Sequence, residues 1–204
     1  MTAATMACVQ GFWALDKRLA QRKQFPSVNV DSSFSHNIRQ IDALLNASVD
    51  SRFGYLRAAA MKLLRDRSLI LEAIGLADRE ALSTKSRVEL FFADMLEEDF
   101  LYQNLFTSYD HTCPMTKTIG MLKWILALCD ESRELIARKP LLTWDALLSI
   151  LEPLVEKVRH AKFQAPFQDV DVDVDVGGDG AGLQRVFDRL CGDIDVAFVE
   201  ATYC

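Results

Sequence analysis

The sequence predicts an all-α protein, a helical bundle at least after residue 50. Apolar residues recur at three- and four-residue spacing in successive segments, and caps and breakers part those segments with short connections. No run of alternating strands and no internal repeat is found. Half of the 204 residues are hydrophobic, including 12 Phe and 3 Trp, so a core can form and disorder across most of the length is excluded.

The elements follow in order. Val9, Phe12, Trp13, Leu15 and Leu19 have helical spacing, which Pro26 in the QFP turn brings to a stop. The stretch to Asp50 is less regular, with a helix expected over FSHNIRQIDALL. Phe53, Leu56, Ala60, Leu63 and Leu64 then form one stripe, and Gly75 is the expected stop for the turns after it. Ser86 to Glu89 reads as a capping box opening VELFFADMLEEDFLYQ. Pro114 precedes an amphipathic segment from Thr116 to about Arg138, with Leu122, Ile125, Leu126 and Cys129 on one face. Thr143 is the expected N-cap of a helix reaching His160. A last helix is expected from Leu183 to Ala201, with Leu183, Val186, Phe187, Leu190, Ile194 and Phe198 on its apolar face.

Between the last two helices lies the tract from Asp169 to Gly182, dense in Asp and Gly. Its composition predicts a flexible acidic insertion. A calcium loop is the sharper alternative and fits poorly. With Asp171, Asp173 and Asp175 as the first ligands, Val176 takes the place of the turn glycine and Gly182 that of the bidentate Glu.

The net charge of −6 gives no basic footprint for nucleic acid. The five cysteines, Cys8, Cys113, Cys129, Cys191 and Cys204, are scattered without zinc or redox spacing, as expected for reduced thiols in the cytosol. No basic stretch precedes an apolar core at the N-terminus, so no secretory signal is expected. The longest apolar run, Gly120 to Cys129, is interrupted by Lys123 and is too short to span a bilayer.

Candidate chemistry is sparse. None of the nine glycines is followed by Lys, so a P-loop is absent, and so is a dinucleotide GxGxxG. His36, His111 and His160 lie far apart without metal-ligand spacing, and no metal is expected. His111 beside Cys113 lacks an orienting third group, and alternate residues of an extended segment point apart. Glu97, Glu98 and Asp99 fan around a helix, which predicts a solvated face. No catalytic residue is assigned.

Several ordered blocks nevertheless agree with one family. FWALDKRLAQRKQFPSVN (Phe12 to Asn29) is similar to the signature closing the nucleotide-binding domain of vacuolar- and archaeal-type proton ATPase catalytic subunits. YLRAAAMKLL, LILEAIGLADREAL and EEDFLYQN resemble the start of that family's C-terminal helical domain. TSYDHTCPMTKTIGML and LTWDALLSILEPLVEKVRHAKF resemble its later blocks, so the likeness runs from about Val9 to Phe167 and resumes in the last helix. It implies residues 1–50 as the end of a RecA-like nucleotide-binding domain and 51–204 as the helical domain, with 169–182 inserted.

The resemblance also implies a role. The family grips the adenine of ATP or ADP between aromatic side chains from this region, and such stacking is worth roughly 1–3 kcal/mol per ring. Phe25 in the QFPSVN turn and Phe106 in QNLFTSYD match two of these aromatics. The third position is Thr112, which removes stacking surface, and Tyr109 is the candidate substitute. By composition alone, Phe25 and Phe106 also suit ordinary core packing. Other departures are Gln24 where the family has His, and Met115 and Thr116 where it has aromatics, whereas Lys117 and Thr118 fit. Lys17, Arg18, Arg22 and Lys23 are candidates for approaching phosphates, with a solvated helix face as the plainer reading. The family's phosphate-binding lysine, catalytic glutamate and magnesium ligands belong to sequence upstream of these blocks.

A truncated piece of a catalytic subunit is therefore expected, one that supplies the adenine side of the pocket and the helical lever coupling hydrolysis to rotation and proton transport. Its implied partners are the central stalk and the non-catalytic B subunit. Its implied place is the cytoplasmic face of a vacuolar or other endomembrane, with no direct membrane insertion. The alternatives are a divergent, non-catalytic helical module that binds subunits of the ATPase, and a degenerate product without function. The purified chain is expected to show no magnesium-dependent ATP hydrolysis. Turnover that survives rigorous purification overturns this expectation.

Overall fold

The computed structural model describes residues 7–74, 82–104, 106–111, 113–163, 192–194 and 196–198. The chain enters through an antiparallel hairpin of β1 (Gly11–Leu15) and β2 (Val28–Ser35), with the short helix α1 (Lys17–Gln21) in the connection. Gly11 pairs with Ser35 and Phe12 with Phe34. The register then shifts, so that Ala14 meets Asn29 and Leu15 meets Val28. Ser33 bridges the irregularity, its hydroxyl accepting from the Ala14 amide at 3.0 Å and donating to the Asn29 carbonyl at 2.5 Å.

This hairpin corrects the helix expected over Val9 to Leu19. Phe12 and Trp13 favour extended backbone, and the Phe12 and Phe34 rings meet across the strands at 5.8 Å. Only α1 is helical in that stretch. It begins where the Asp16 carboxylate accepts from the Arg18 amide at 2.7 Å, a bond that holds the Asp16 carboxyl below its ordinary pKa.

Helices follow: α2 (Ile38–Ser48), α3 (Phe53–Ile74) and α4 (Thr84–Met95), the last continued by a π-helical turn, Leu96–Leu101. After the four-residue α5 (Ser108–His111) come α6 (Met115–Arg138) and α7 (Trp144–Lys162). The helix expected over FSHNIRQIDALL is α2, although Phe34 and Ser35 close β2 instead of joining it. Gly75 and the acidic tract from Asp169 to Gly182 lie outside the described residues, as does most of the expected last helix. Ile194 and Phe198, placed on that helix's apolar face, are buried in the core.

The expected stripe on α3 is borne out: Leu56 and Leu63 are buried, with Phe53, Ala60 and Leu64 packed beside them. Leu122, Ile125, Leu126 and Cys129 of α6 are likewise buried, and Thr143 caps α7 by accepting from the Ala146 amide at 3.4 Å. The expected capping box is displaced by one turn. Ser83 is the N-cap of α4, accepting from the Ser86 amide at 3.2 Å. Glu89 is buried and forms a two-pronged pair with Arg133 of α6 at 2.9 and 2.6 Å, so it has a partner in another helix.

The core surrounds α6, which packs against α3, α4, α7 and the π turn. Helix α2 and the turn after it are tied to the bundle by two ion pairs. Asp42 accepts from Nε and Nη2 of Arg57, at 2.8 and 2.6 Å, and this pair holds the Asp42 carboxyl below the ordinary range. Asp50 pairs with Lys123 of α6. Helices α2 and α3 approach closely at Gly54, where a Cβ would lie 3.3 Å from Asp42 Cβ.

Two measurements check this packing. Ser83→Ala should destabilise the chain by about 1 kcal/mol in a denaturant titration, and Ser86→Ala by less, because only the first removes the α4 cap. Burial pushes the Cys129 thiol up to about 12. Alkylation of the folded chain at pH 8 should therefore leave Cys129 unmodified while the exposed Cys8 reacts, as read by peptide mass spectrometry.

Candidate functional site

Two segments far apart in sequence converge beside the bundle. The first is the turn after α1, where Lys23 takes a left-handed conformation (φ 60°) and redirects the chain into Gln24, Phe25 and Pro26. The second is the loop between the π turn and α6. They are joined by a hydrogen bond from the Gln103 amide to the Phe25 carbonyl at 2.8 Å.

The loop is shaped by its own side chains. Asn104 receives the Phe106 amide on its side-chain oxygen at 3.0 Å and the Thr107 amide on its carbonyl at 3.1 Å. The Asp110 carboxylate in turn accepts from the Asn104 amide at 2.9 Å. This closed turn presents Phe106 outward, 95% exposed, while Phe25 is 55% exposed. Neither ring is a core residue, so the core-packing alternative fails for both.

Tyr109 is held differently. Its ring meets Phe163 edge-on at 5.2 Å and lies 5.7 Å from the Lys117 ammonium. Thr112 is outside the described residues. Thus Phe25 and Phe106 sit on joined segments, and Tyr109 is packed toward the end of α7.

Two buried lysines lie under this loop: Lys117, which fits the family pattern but is given no role by the sequence, and Lys162, which escapes the reading of the sequence. Lys117 is 1% exposed and Lys162 8%. Lys117 Nζ donates to the carbonyls of Tyr109 at 2.9 Å and Lys162 at 2.5 Å. Lys162 Nζ donates to those of Tyr102 at 3.0 Å and Glu98 at 3.3 Å. Loss of hydration lowers the pKa of both, partly offset at Lys117 by Cys113 and Asp110, and at Lys162 by Asp110 and Asp99. Helical spacing is the signal that could find them. Lys117 precedes Gly120, Met121 and Trp124 on the buried face of α6, and Lys162 follows Leu151, Leu154, Val155 and Val158 on that of α7.

The acidic cluster expected on a solvated face is instead largely engaged. Arg67 of α3 bridges Asp94 at 2.7 Å and Glu97 at 2.9 Å, and Arg159 of α7 reaches Asp99 at 3.0 Å. Only Glu98 of the three is exposed. The π turn carries these carboxylates to helices on different sides.

A cavity of about 850 Å³ opens between the hairpin and α3, lined by Trp13, Leu15, Leu19, Val28, Leu64 and Leu71 on its apolar side. Arg18 and Arg22 also line it, whereas Lys17 and Lys23 point to solvent. His36 packs its ring against Phe34 at 5.0 Å. Cys113 contacts the Thr118 hydroxyl at 3.4 Å. Among the described residues no cluster of three metal-ligating side chains occurs, and no helix is long and apolar enough to cross a membrane.

Comparison with known proteins matches this sequence to a family of rotary ATPases. Residues 42–144 fit the family described as the C-terminal domain of V and A type ATP synthase. The chain is 33% identical over 202 residues to the catalytic subunit of the V-type proton ATPase of Manduca sexta, covering 97% of this chain and 31% of that protein. It is 31% identical over 202 residues to isoform 2 of the same subunit from Drosophila melanogaster, with the same coverage. Against the Trypanosoma congolense subunit it is 35% identical over 169 residues, covering 81% of this chain and 28% of that one. The chain spans about a third of the length of these curated relatives. The helical fold, the matched residues and the relatives agree: this chain belongs to the V- and A-type ATPase family, corresponding to the C-terminal region of its catalytic subunit.

Proposed function

We propose that the chain supplies the adenine side of the nucleotide pocket in a V-type proton ATPase, together with the helical lever that couples ATP hydrolysis to rotation and proton transport. The observation that carries this reading is the Gln103–Phe25 hydrogen bond, which joins two segments that each offer an exposed phenyl ring. A flat base gains by stacking on such rings, and Phe25 and Phe106 both stand exposed to receive one. Thr112 belongs to the same proposed site as the position with reduced stacking surface, and Tyr109 is the proposed substitute for it.

ATP or ADP is the ligand of this reading, with phosphate and magnesium chemistry supplied from outside these residues. The division at residue 50 belongs to the same proposal, residues 1–50 being the nucleotide-domain end and 51–204 the lever. The partners are the central stalk and the non-catalytic B subunit. The location is the cytoplasmic face of a vacuolar or other endomembrane. Enclosure of the lever's core around one long helix supports its movement as a rigid unit.

The second reading, a non-catalytic helical module that binds ATPase subunits, draws on a different observation. Trp13 is 79% exposed and borders the large cavity with Leu15, an apolar patch suited to a protein partner.

Titration of the full chain with a fluorescent ADP analogue separates the two. The adenine reading expects saturable binding that Phe25→Ala and Phe106→Ala each weaken about 5- to 100-fold, as loss of a stacked ring implies. Binding indifferent to both substitutions, or absent at millimolar nucleotide, overturns it in favour of the module.

A further inference from the structure

We propose that Lys117 and Lys162 are positioning residues that pin the two ends of the Phe106 loop to the bundle and so set the placement of its exposed ring. What the loop is for rests on the adenine reading above. How it is held does not.

The geometry is paired. At the loop's entrance Lys162 Nζ donates to the Tyr102 carbonyl at 3.0 Å and lies 5.5 Å from the centre of the Tyr102 ring. At its exit Lys117 Nζ donates to the Tyr109 carbonyl at 2.9 Å and lies 5.7 Å from the Tyr109 ring. Each tyrosine is thus held twice, by its backbone oxygen and by its π face. The pins are also linked to each other, because Lys117 donates to the carbonyl of Lys162 at the end of α7. An ammonium group at that helix end also meets the negative pole of the helix dipole.

Burial alone does not call for lysine at either position. A methionine fills nearly the same volume without the cost of removing a charge from water. What methionine lacks is the ability to hold carbonyl groups from separate elements at one point. Between the pins, the described residues add the local hydrogen bonds of Asn104, Thr107 and Asp110 and the Gln103 bond to the Phe25 carbonyl. The placement of Phe106, and through Gln103 of the Phe25 turn, therefore depends on where Tyr102 and Tyr109 are fixed.

Hydrogen exchange on the full chain tests the assignment, comparing Lys117→Met and Lys162→Met with the unmodified protein. Exchange in peptides covering 102–111 should rise at least about tenfold in each variant, as loss of a charge-assisted hydrogen bond implies. Peptides covering 84–95 and 144–158 should exchange as before. Lys162→Arg, which keeps a cationic donor at the more accessible site, should restore slow exchange in the loop. Unchanged loop exchange overturns the proposal, and so does a rise shared equally by the helices, which marks general loosening. If Lys117→Met does not fold, Lys162→Met with its Arg counterpart decides alone. Binding of the fluorescent ADP analogue is read in parallel. Selective loop release with weakened nucleotide binding supports both readings. Selective release in a chain that never binds nucleotide supports the pins and removes the adenine role.

Discussion

Trp124, Ile125, Leu128 and Cys129 have no surface in contact with solvent, so α6 is enclosed by its neighbours along its middle turns. Burying each large apolar side chain contributes roughly 1.5–3 kcal/mol, and this single helix collects a large share of the core. Its demands place the other helices: α4 covers it with Val88 and Phe92, and α7 with Leu147, Leu151 and Val158. The N-terminal end of the same helix carries Lys117 into the interior. The loop is therefore attached to the most deeply packed element in the chain, and its order follows from the core beneath it.

The polar groups within this packing choose among arrangements that apolar contacts alone leave open. Arg67, Arg133 and Arg159 each link elements distant in sequence, and Arg57 links the successive helices α2 and α3. Half-buried pairs of this kind add little net stability, yet each penalises a slipped helix by stranding a charge. The π turn belongs to the same logic. It lets Glu97 face α3 and Asp99 face α7 within three residues, a divergence that in the sequence pattern reads as exposure.

Where one face of an element is buried and the other polar, the sequence is easy to read. The stripes on α3 and α6 and the Thr143 cap are of this kind, because 3.6-residue periodicity and N-cap chemistry are local. β1 is not legible: Phe12, Trp13 and Leu15 are apolar on both faces, so the run fits helical spacing as well as a strand, and its partner lies beyond α1. Ser83 and Glu89 illustrate the same limit, since the capping pattern at Ser86 is locally sound and a long-range pair with Arg133 claims its glutamate. At the candidate site, the order of the motif blocks singles out Phe25 and Phe106, while the burial of Lys117 and the whole role of Lys162 escape notice. A lysine reads as surface unless its place in an apolar stripe is weighed above its charge.

The three tryptophans differ widely in environment: Trp13 stands on the open face of the hairpin, Trp144 is partly covered beside Phe91, and Trp124 is sealed in the core. The chain therefore carries its own optical labels. Emission from Trp13 is open to quenching by iodide, whereas Trp124 is shielded from solvent by the core. Events at the hairpin and unfolding of the bundle thus fall on separable parts of one spectrum, without any dye attached.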